Sequence, residues 1–127
     1  MKRLNIGLFG FGNVGRGLYD VLDRIESESV HIRRICVRDI TKDRGANAEF
    51  TDDADQIFND PEINLIVEVI DDAEAAYTIV KRALKSRIPV VSGNKKMLGH
   101  HILELIDLQE QYNTPLLYDA SACGSIP

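Results

Sequence analysis

Leu4-Asn5-Ile6-Gly7-Leu8-Phe9-Gly10-Phe11-Gly12-Asn13-Val14-Gly15 decides the fold. Its first half reads as a buried strand, and its second half matches G-x-G-x-x-G. Beyond it, Val14, Leu18, Val21, Leu22 and Ile25 recur at three- and four-residue spacings and predict a helix. On its own the hexapeptide is a glycine-rich turn joining strand to helix. Strand before and helix after make it a dinucleotide-binding loop. Gly10 then makes the tight turn, Gly12 lets the backbone approach a pyrophosphate, and Gly15 lets helix and strand pack closely. Free N–H groups and the positive end of the helix dipole face the phosphates.

Downstream, strands and helices alternate. Ile32 to Val37 predicts a second strand, and the polar stretch from Arg38 to Glu49 an exposed loop. Thr51-Asp52-Asp53 reads as a helix cap before a short turn, Ala54 to Phe58, which Asp60-Pro61 ends. Ile63 to Ile70 is nearly continuous in Ile, Leu and Val, as a strand buried on both faces should be. A helix from Ala73 to Lys85 carries Ala76, Ile79, Val80, Ala83 and Leu84 on one stripe. Ile88 to Val91 is a strand, and a long helix runs to about Tyr112 with Leu98, Ile102, Leu105, Ile106 and Gln109 in register. Pro115 stops that helix, and Leu116 to Tyr118 forms a last strand. This alternation predicts an α/β fold, a doubly wound and mostly parallel sheet, forming one Rossmann-type domain over residues 1–127. Chemistry is expected at the carboxyl ends of the strands, in the loops after Phe9, Val37, Ile70, Val91 and Tyr118.

The 127 residues suit a single domain, and 44% hydrophobic with 28% charged residues is ordinary globular composition. A net charge of −5 with no basic run argues against nucleic-acid or anionic-membrane partners. No apolar run approaches the ~20 residues of a bilayer span. The apolar stretch after Lys2 and Arg3 is broken by Asn5, Gly7, Gly10 and Gly12, which excludes a signal peptide. Two cysteines, Cys36 and Cys123, are too few for a disulfide framework, so reduced thiols and a cytoplasmic location are expected.

The residues after the second strand bear on the cofactor. An acid about 20 positions beyond the glycines holds the ribose 2′-OH of NAD, and Asp39 is placed for it. Arg38 stands directly before it, and an arginine there suits the 2′-phosphate of NADP, with Lys42 and Arg44 adding positive charge. NADP is favoured with NAD tolerated; Arg38 and Asp39 as a solvated loop pair is the alternative. Val91-Ser92-Gly93-Asn94-Lys95-Lys96 runs from a strand end into a helix start. A lysine there can act as a point charge or proton relay, or be a solvated surface residue.

Three segments occur in order at suitable spacing: Gly10-Phe11-Gly12-Asn13-Val14-Gly15, the Asn94-Lys95-Lys96 loop, and Tyr118-Asp119-Ala120-Ser121-Ala122-Cys123-Gly124-Ser125-Ile126-Pro127. Together they resemble the homoserine dehydrogenases, in their monofunctional form, over the whole chain. The resemblance implies that Phe11, Gly12, Asn13 and Val14 line the pyrophosphate and that Ile70 and Asp71 lie beside the adenosine–nicotinamide path. It implies that Lys95 assists catalysis beside nicotinamide and substrate, with Gly93 of the same loop at the cofactor. It also implies a sodium ion held by the Asp119 carboxylate and the backbone carbonyls of Ala122, Gly124 and Ile126. Aspartate stands here for the family's usual glutamate, Ser92-Gly93 for Thr-Ala, and Ser125 for glycine.

The implied reaction is reversible hydride transfer between NAD(P)H and L-aspartate 4-semialdehyde, giving L-homoserine, a step in threonine, methionine and isoleucine biosynthesis. The family's main proton donor and its homodimer contacts lie in a second domain, expected after residue 127 and absent from this sequence. The chain alone is therefore expected to bind cofactor without turnover. Two other readings stand beside this one. One is another NAD(P)-dependent amino-acid or semialdehyde dehydrogenase; an acylating semialdehyde dehydrogenase would use Cys123 as nucleophile with a histidine partner, but His31, at a strand start, and His100 and His101, on a helix, are poorly placed for it. A dinucleotide-sensing module would have no catalysis.

Overall fold

The computed structural model describes residues 3–119. The chain runs β1 (Leu4–Phe9), α1 (Asn13–Ile25), β2 (Val30–Cys36), β3 (Phe50–Thr51), α2 (Asp55–Phe58), β4 (Leu65–Glu68), α3 (Ala73–Lys85), β5 (Val90–Ser92), α4 (Lys95–Tyr112) and β6 (Leu116–Tyr118). The sheet order is β3-β2-β1-β4-β5-β6, and every neighbouring pair is parallel. The chain winds outward from β1 to one edge and then from β4 to the other. The winding reverses between β1 and β4, where loops leaving the carboxyl ends of the two strands diverge and leave a crevice.

Side chains alternate across this sheet as the strand period demands. Ile6 and Leu8 of β1 join Ile35, Val37 and Val67 in one core beneath α1. Phe9 joins Ile66, Val90 and Leu116 in the other core, beneath α2, α3 and α4. The stripe expected on α3 is buried in full: Ala76, Ile79, Val80, Ala83 and Leu84. On α4 the buried residues are Met97, Leu98, Ile102, Leu105 and Leu108.

The sequence reading misses β3. Phe50 and Thr51 pair with Ile35 and Cys36, and a two-residue strand has no period to detect. Thr51 still serves the turn that follows, because its hydroxyl accepts the Asp53 N–H at 3.1 Å. A second surprise lies in β2. The register against β1 slips between Ile6 and Gly7, leaving Arg33 as an extra residue. Such a bulge re-aims side chains. Consecutive arginines, Arg33 and Arg34, both donate to Asp60 Oδ2, at 2.7 and 3.1 Å.

Candidate functional site

Each motif glycine has its own geometry. Gly10 sits at φ +100°, and a Cβ there would lie 2.8 Å from the Val69 carbonyl oxygen. A Cβ on Gly15 would lie 2.4 Å from the Gly10 oxygen, so only glycine lets α1 approach β1 so closely. Gly12 is different: a Cβ there would meet nothing within 4 Å. The fold does not need glycine at Gly12, and the bare backbone is open to a ligand. Gly12 is also the N-cap of α1, with no side-chain cap on the helix. The first-turn N–H groups therefore keep their donors for something outside the protein. Phe11 anchors the loop, its ring edge-on to Tyr19 and Phe50 at 5.8 and 5.3 Å between centroids.

A cleft of about 610 Å³ opens above this loop. Its walls come from the loops after β1, β2 and β4 and from the start of α3: Gly10, Phe11 and Gly12, then Arg38, Lys42 and Arg44, then Ile70, Asp71 and Asp72. Arg38 is largely exposed and reaches the Asp72 carboxylate at 3.5 Å across the cleft. Asp72 is itself the N-cap of α3. The N–H groups of Ala75 and Glu74 hold its carboxyl below the usual range, with Arg38 adding to the effect. Asp39 does not line the cleft. Its carboxylate accepts both the N–H and the hydroxyl of Thr41, and these hold its pKa low. Arg44 stiffens the loop: its guanidinium donates to the carbonyls of Asp39 and Lys42 and lies over the Phe50 ring at 5.5 Å.

At the neighbouring strand ends, Asn94 caps α4. Its Oδ1 accepts the Met97 N–H at 2.8 Å, and its amide donates to the Ile70 carbonyl at 2.8 Å. The carboxyl of Glu68, fully buried, accepts the Ser92 hydroxyl at 2.6 Å and the Ile70 N–H at 2.7 Å. Burial pushes this carboxyl up, against the downward pull of those two donors.

The arrangement of sheet, switch point and glycine loop is shared with known proteins. Residues 10–119 match the family described as homoserine dehydrogenase, NAD binding domain. The chain belongs to the homoserine dehydrogenase family. It is 36% identical over 133 residues to the homoserine dehydrogenase of Helicobacter pylori, covering 99% of this chain and 31% of that one. It is 33% identical to the enzyme of Corynebacterium glutamicum, covering 98% and 30% of the two chains. A crystal structure of S. aureus homoserine dehydrogenase at pH 7.5 superposes with a TM-score of 0.84 at 34% identity, over 95% of this chain and 33% of that one. The homoserine dehydrogenase of Thiobacillus denitrificans gives 0.86 at 27% identity, over 95% and 30%. The chain thus spans about a third of the length of these relatives and corresponds to the NAD-binding domain of the family.

Of the residues expected at the cofactor, Gly10, Phe11, Gly12, Arg38, Ile70 and Asp71 line one cleft. Asn13, Val14 and Gly15 form the first turn of α1, with Gly15 buried beneath it. Gly93 and Lys95 are exposed at the start of α4, outside the cleft lining. Asp119 directly follows β6, while Ala122, Cys123, Gly124 and Ile126 lie outside the described residues. His31 is the second residue of β2, His100 and His101 ride on α4, and no histidine lines the cleft. No helix among the described residues is long and apolar enough to cross a membrane. The sequence reading passed over Glu68 and saw Ser92 only as part of the Asn94-Lys95-Lys96 loop, without its bond to Glu68. Glu68 was visible as the one acid inside the apolar run Ile63 to Ile70.

Proposed function

We propose that this domain binds NADP(H) across the cleft above Gly12. We propose further that it serves an enzyme interconverting L-homoserine and L-aspartate 4-semialdehyde. The observation that carries the cofactor reading is Gly12: an uncapped helix start whose backbone is bare although the fold leaves room for a side chain. That cradle fits a diphosphate, which needs close backbone approach and N–H donors.

When bound, the nicotinamide supplies the hydride chemistry. The first turn of α1, from Gly12 through Gly15, orients the cofactor by its phosphates. Ile70 and Asp71 line the same cleft beside the glycine loop. Lys95, on the first turn of α4, is assigned the assisting role beside substrate. The main proton donor is assigned to a part of the enzyme outside these 127 residues, as are the homodimer contacts. Turnover then requires more than this chain.

NADP is preferred over NAD on the electrostatics of the loop after β2. Arg38, Lys42 and Arg44 line the cleft, whereas Asp39 is not among its lining residues and its Oδ1 accepts from Thr41. Three cations suit a 2′-phosphate, and arginine binds it most directly. A sodium site is assigned to the Asp119 carboxylate with the carbonyls of Ala122, Gly124 and Ile126, an all-oxygen set suited to a hard cation. The net charge of −5 supports small molecules rather than nucleic acid or anionic membranes as partners, and the two cysteines suit a reducing, cytoplasmic setting.

Titrating the chain with NADP⁺ and NAD⁺, before and after Arg38→Ala, tests the cofactor reading. NADP⁺ affinity should fall by the ~1.5–3 kcal/mol of a charged hydrogen bond, with NAD⁺ affinity unchanged. Equal loss for both, or no loss, removes Arg38 from the site.

A further inference from the structure

A closed ring of hydrogen bonds joins the ends of β4 and β5. Glu68 Oε2 accepts the Ile70 N–H at 2.7 Å, and the Ile70 carbonyl accepts the Asn94 amide at 2.8 Å. The Asn94 N–H reaches Ser92 Oγ at 3.4 Å, and Ser92 Oγ donates to Glu68 Oε1 at 2.6 Å. Both polar groups of Ile70 are thus held, one by Glu68 and the other by Asn94. The loop so held presses on the glycine loop, since the Val69 carbonyl is what forbids a side chain on Gly10.

Glu68, Ser92 and Asn94 are all buried, and none lines the cleft. Glu68 has no cationic partner among the salt bridges of the described residues. A buried carboxyl without a cation is a costly way to fill a strand position that leucine would fill more cheaply. Its geometry gives it another use, because two acceptor oxygens on one group can reach two backbone loops at once.

We propose that Glu68 and Ser92 are positioning residues of the dinucleotide cleft. Their pair fixes the Ile70 peptide and holds the Ile70–Asp71 wall at its distance from the glycine loop. This rests on the cofactor reading above. Neither residue touches the cofactor; they act through Ile70 and, by way of Asn94, through the helix start that carries Lys95.

The test compares wild type, Glu68→Ala, Glu68→Gln and Ser92→Ala by NADP⁺ titration, with hydrogen exchange read at the Ile70 amide. Glu68→Ala should weaken NADP⁺ on the order of tenfold, Ser92→Ala several-fold, and Glu68→Ala should speed Ile70 exchange at least as much. Glu68→Gln should rescue both, since its amide oxygen accepts from Ile70 while its NH₂ donates to the Ser92 hydroxyl. A purely structural role would not be rescued for exchange and affinity together by an amide. Wild-type affinity in Glu68→Ala and Ser92→Ala would overturn the proposal, as would a Glu68→Gln variant as weak as Glu68→Ala. If Glu68→Ala does not fold, Ser92→Ala, nearly the same size as serine, decides by its affinity. Wild-type protein that fails to bind NADP⁺ overturns the cofactor reading instead, and Ile70 exchange in the variants then decides the hold on Ile70 alone.

Discussion

Beneath α3 and α4 the sheet buries Phe9, Ile66, Val90 and Leu116 against two helices whose apolar stripes are almost wholly covered. Beneath α1 the core is smaller, and the helix leaves Val14, Val21 and Ile25 in solvent, 68%, 49% and 59% exposed. The first face supplies stability. The second holds α1 by a narrow line, with Gly15 buried and Leu18, Tyr19 and Leu22 partly buried on the core, and keeps its amino end open above the cleft. Gly15 sets this orientation, because the absent side chain marks the line along which the helix comes closest to β1.

That contrast predicts unequal costs of truncation. Leu105→Ala, in the fully buried stripe of α4, should lose about 2–5 kcal/mol in urea unfolding. A smaller and pH-dependent effect belongs to two acids, half-buried Asp60 before β4 and buried Glu68 at its end. Burial opposes ionisation of Asp60, but the Glu62 N–H and the Arg33 and Arg34 guanidiniums outweigh it and hold its carboxyl low. A depressed carboxyl stabilises above the unfolded value of about 3.9, and the contribution is lost as pH falls through the folded value. Asp60→Asn should therefore cost about 1 kcal/mol at pH 7, discounted because both arginines are partly exposed, and nothing at strongly acidic pH. Glu68 has the opposite sign. Its raised carboxyl stabilises fully below the unfolded value of about 4.3, and that contribution fades as pH rises through the folded value. Unfolding of both variants between pH 2.5 and 8 would show Asp60→Asn flattening the acid limb and Glu68→Gln flattening the limb above it. The smallest effect is on the open face, where Val21→Ala should change stability by less than about 0.5 kcal/mol. A Val21→Ala loss equal to that of Leu105→Ala would erase the distinction between the faces.

The same contrast governs what was legible in the sequence. The α3 stripe was read residue for residue because every apolar position at helical spacing faces the sheet. On α1 the spacing gave the helix but not its buried side. Val14, Val21 and Ile25 fit the period as well as Leu18 and Leu22 do, and only the packing of Gly15 separates them. The glycine loop was readable because its signal is local. The Glu68–Ser92 pair was not, since its members lie 24 residues apart and meet only when β4 and β5 pair. Asp39 reads as a ribose ligand by its spacing alone. In the structure its Oδ1 accepts from Thr41, two residues on, a local side-chain to backbone bond that spacing does not reveal.

The cleft account turns on Gly12, the motif glycine the fold can do without. Gly12→Val should fold normally, within about 1 kcal/mol of wild type, because its side chain enters open space at an extended N-cap. Its calorimetric titration with NADP⁺ should show binding weakened at least ~100-fold, as β-carbon substituents occupy the place of the diphosphate. Undiminished NADP⁺ binding by a folded Gly12→Val protein would contradict the account.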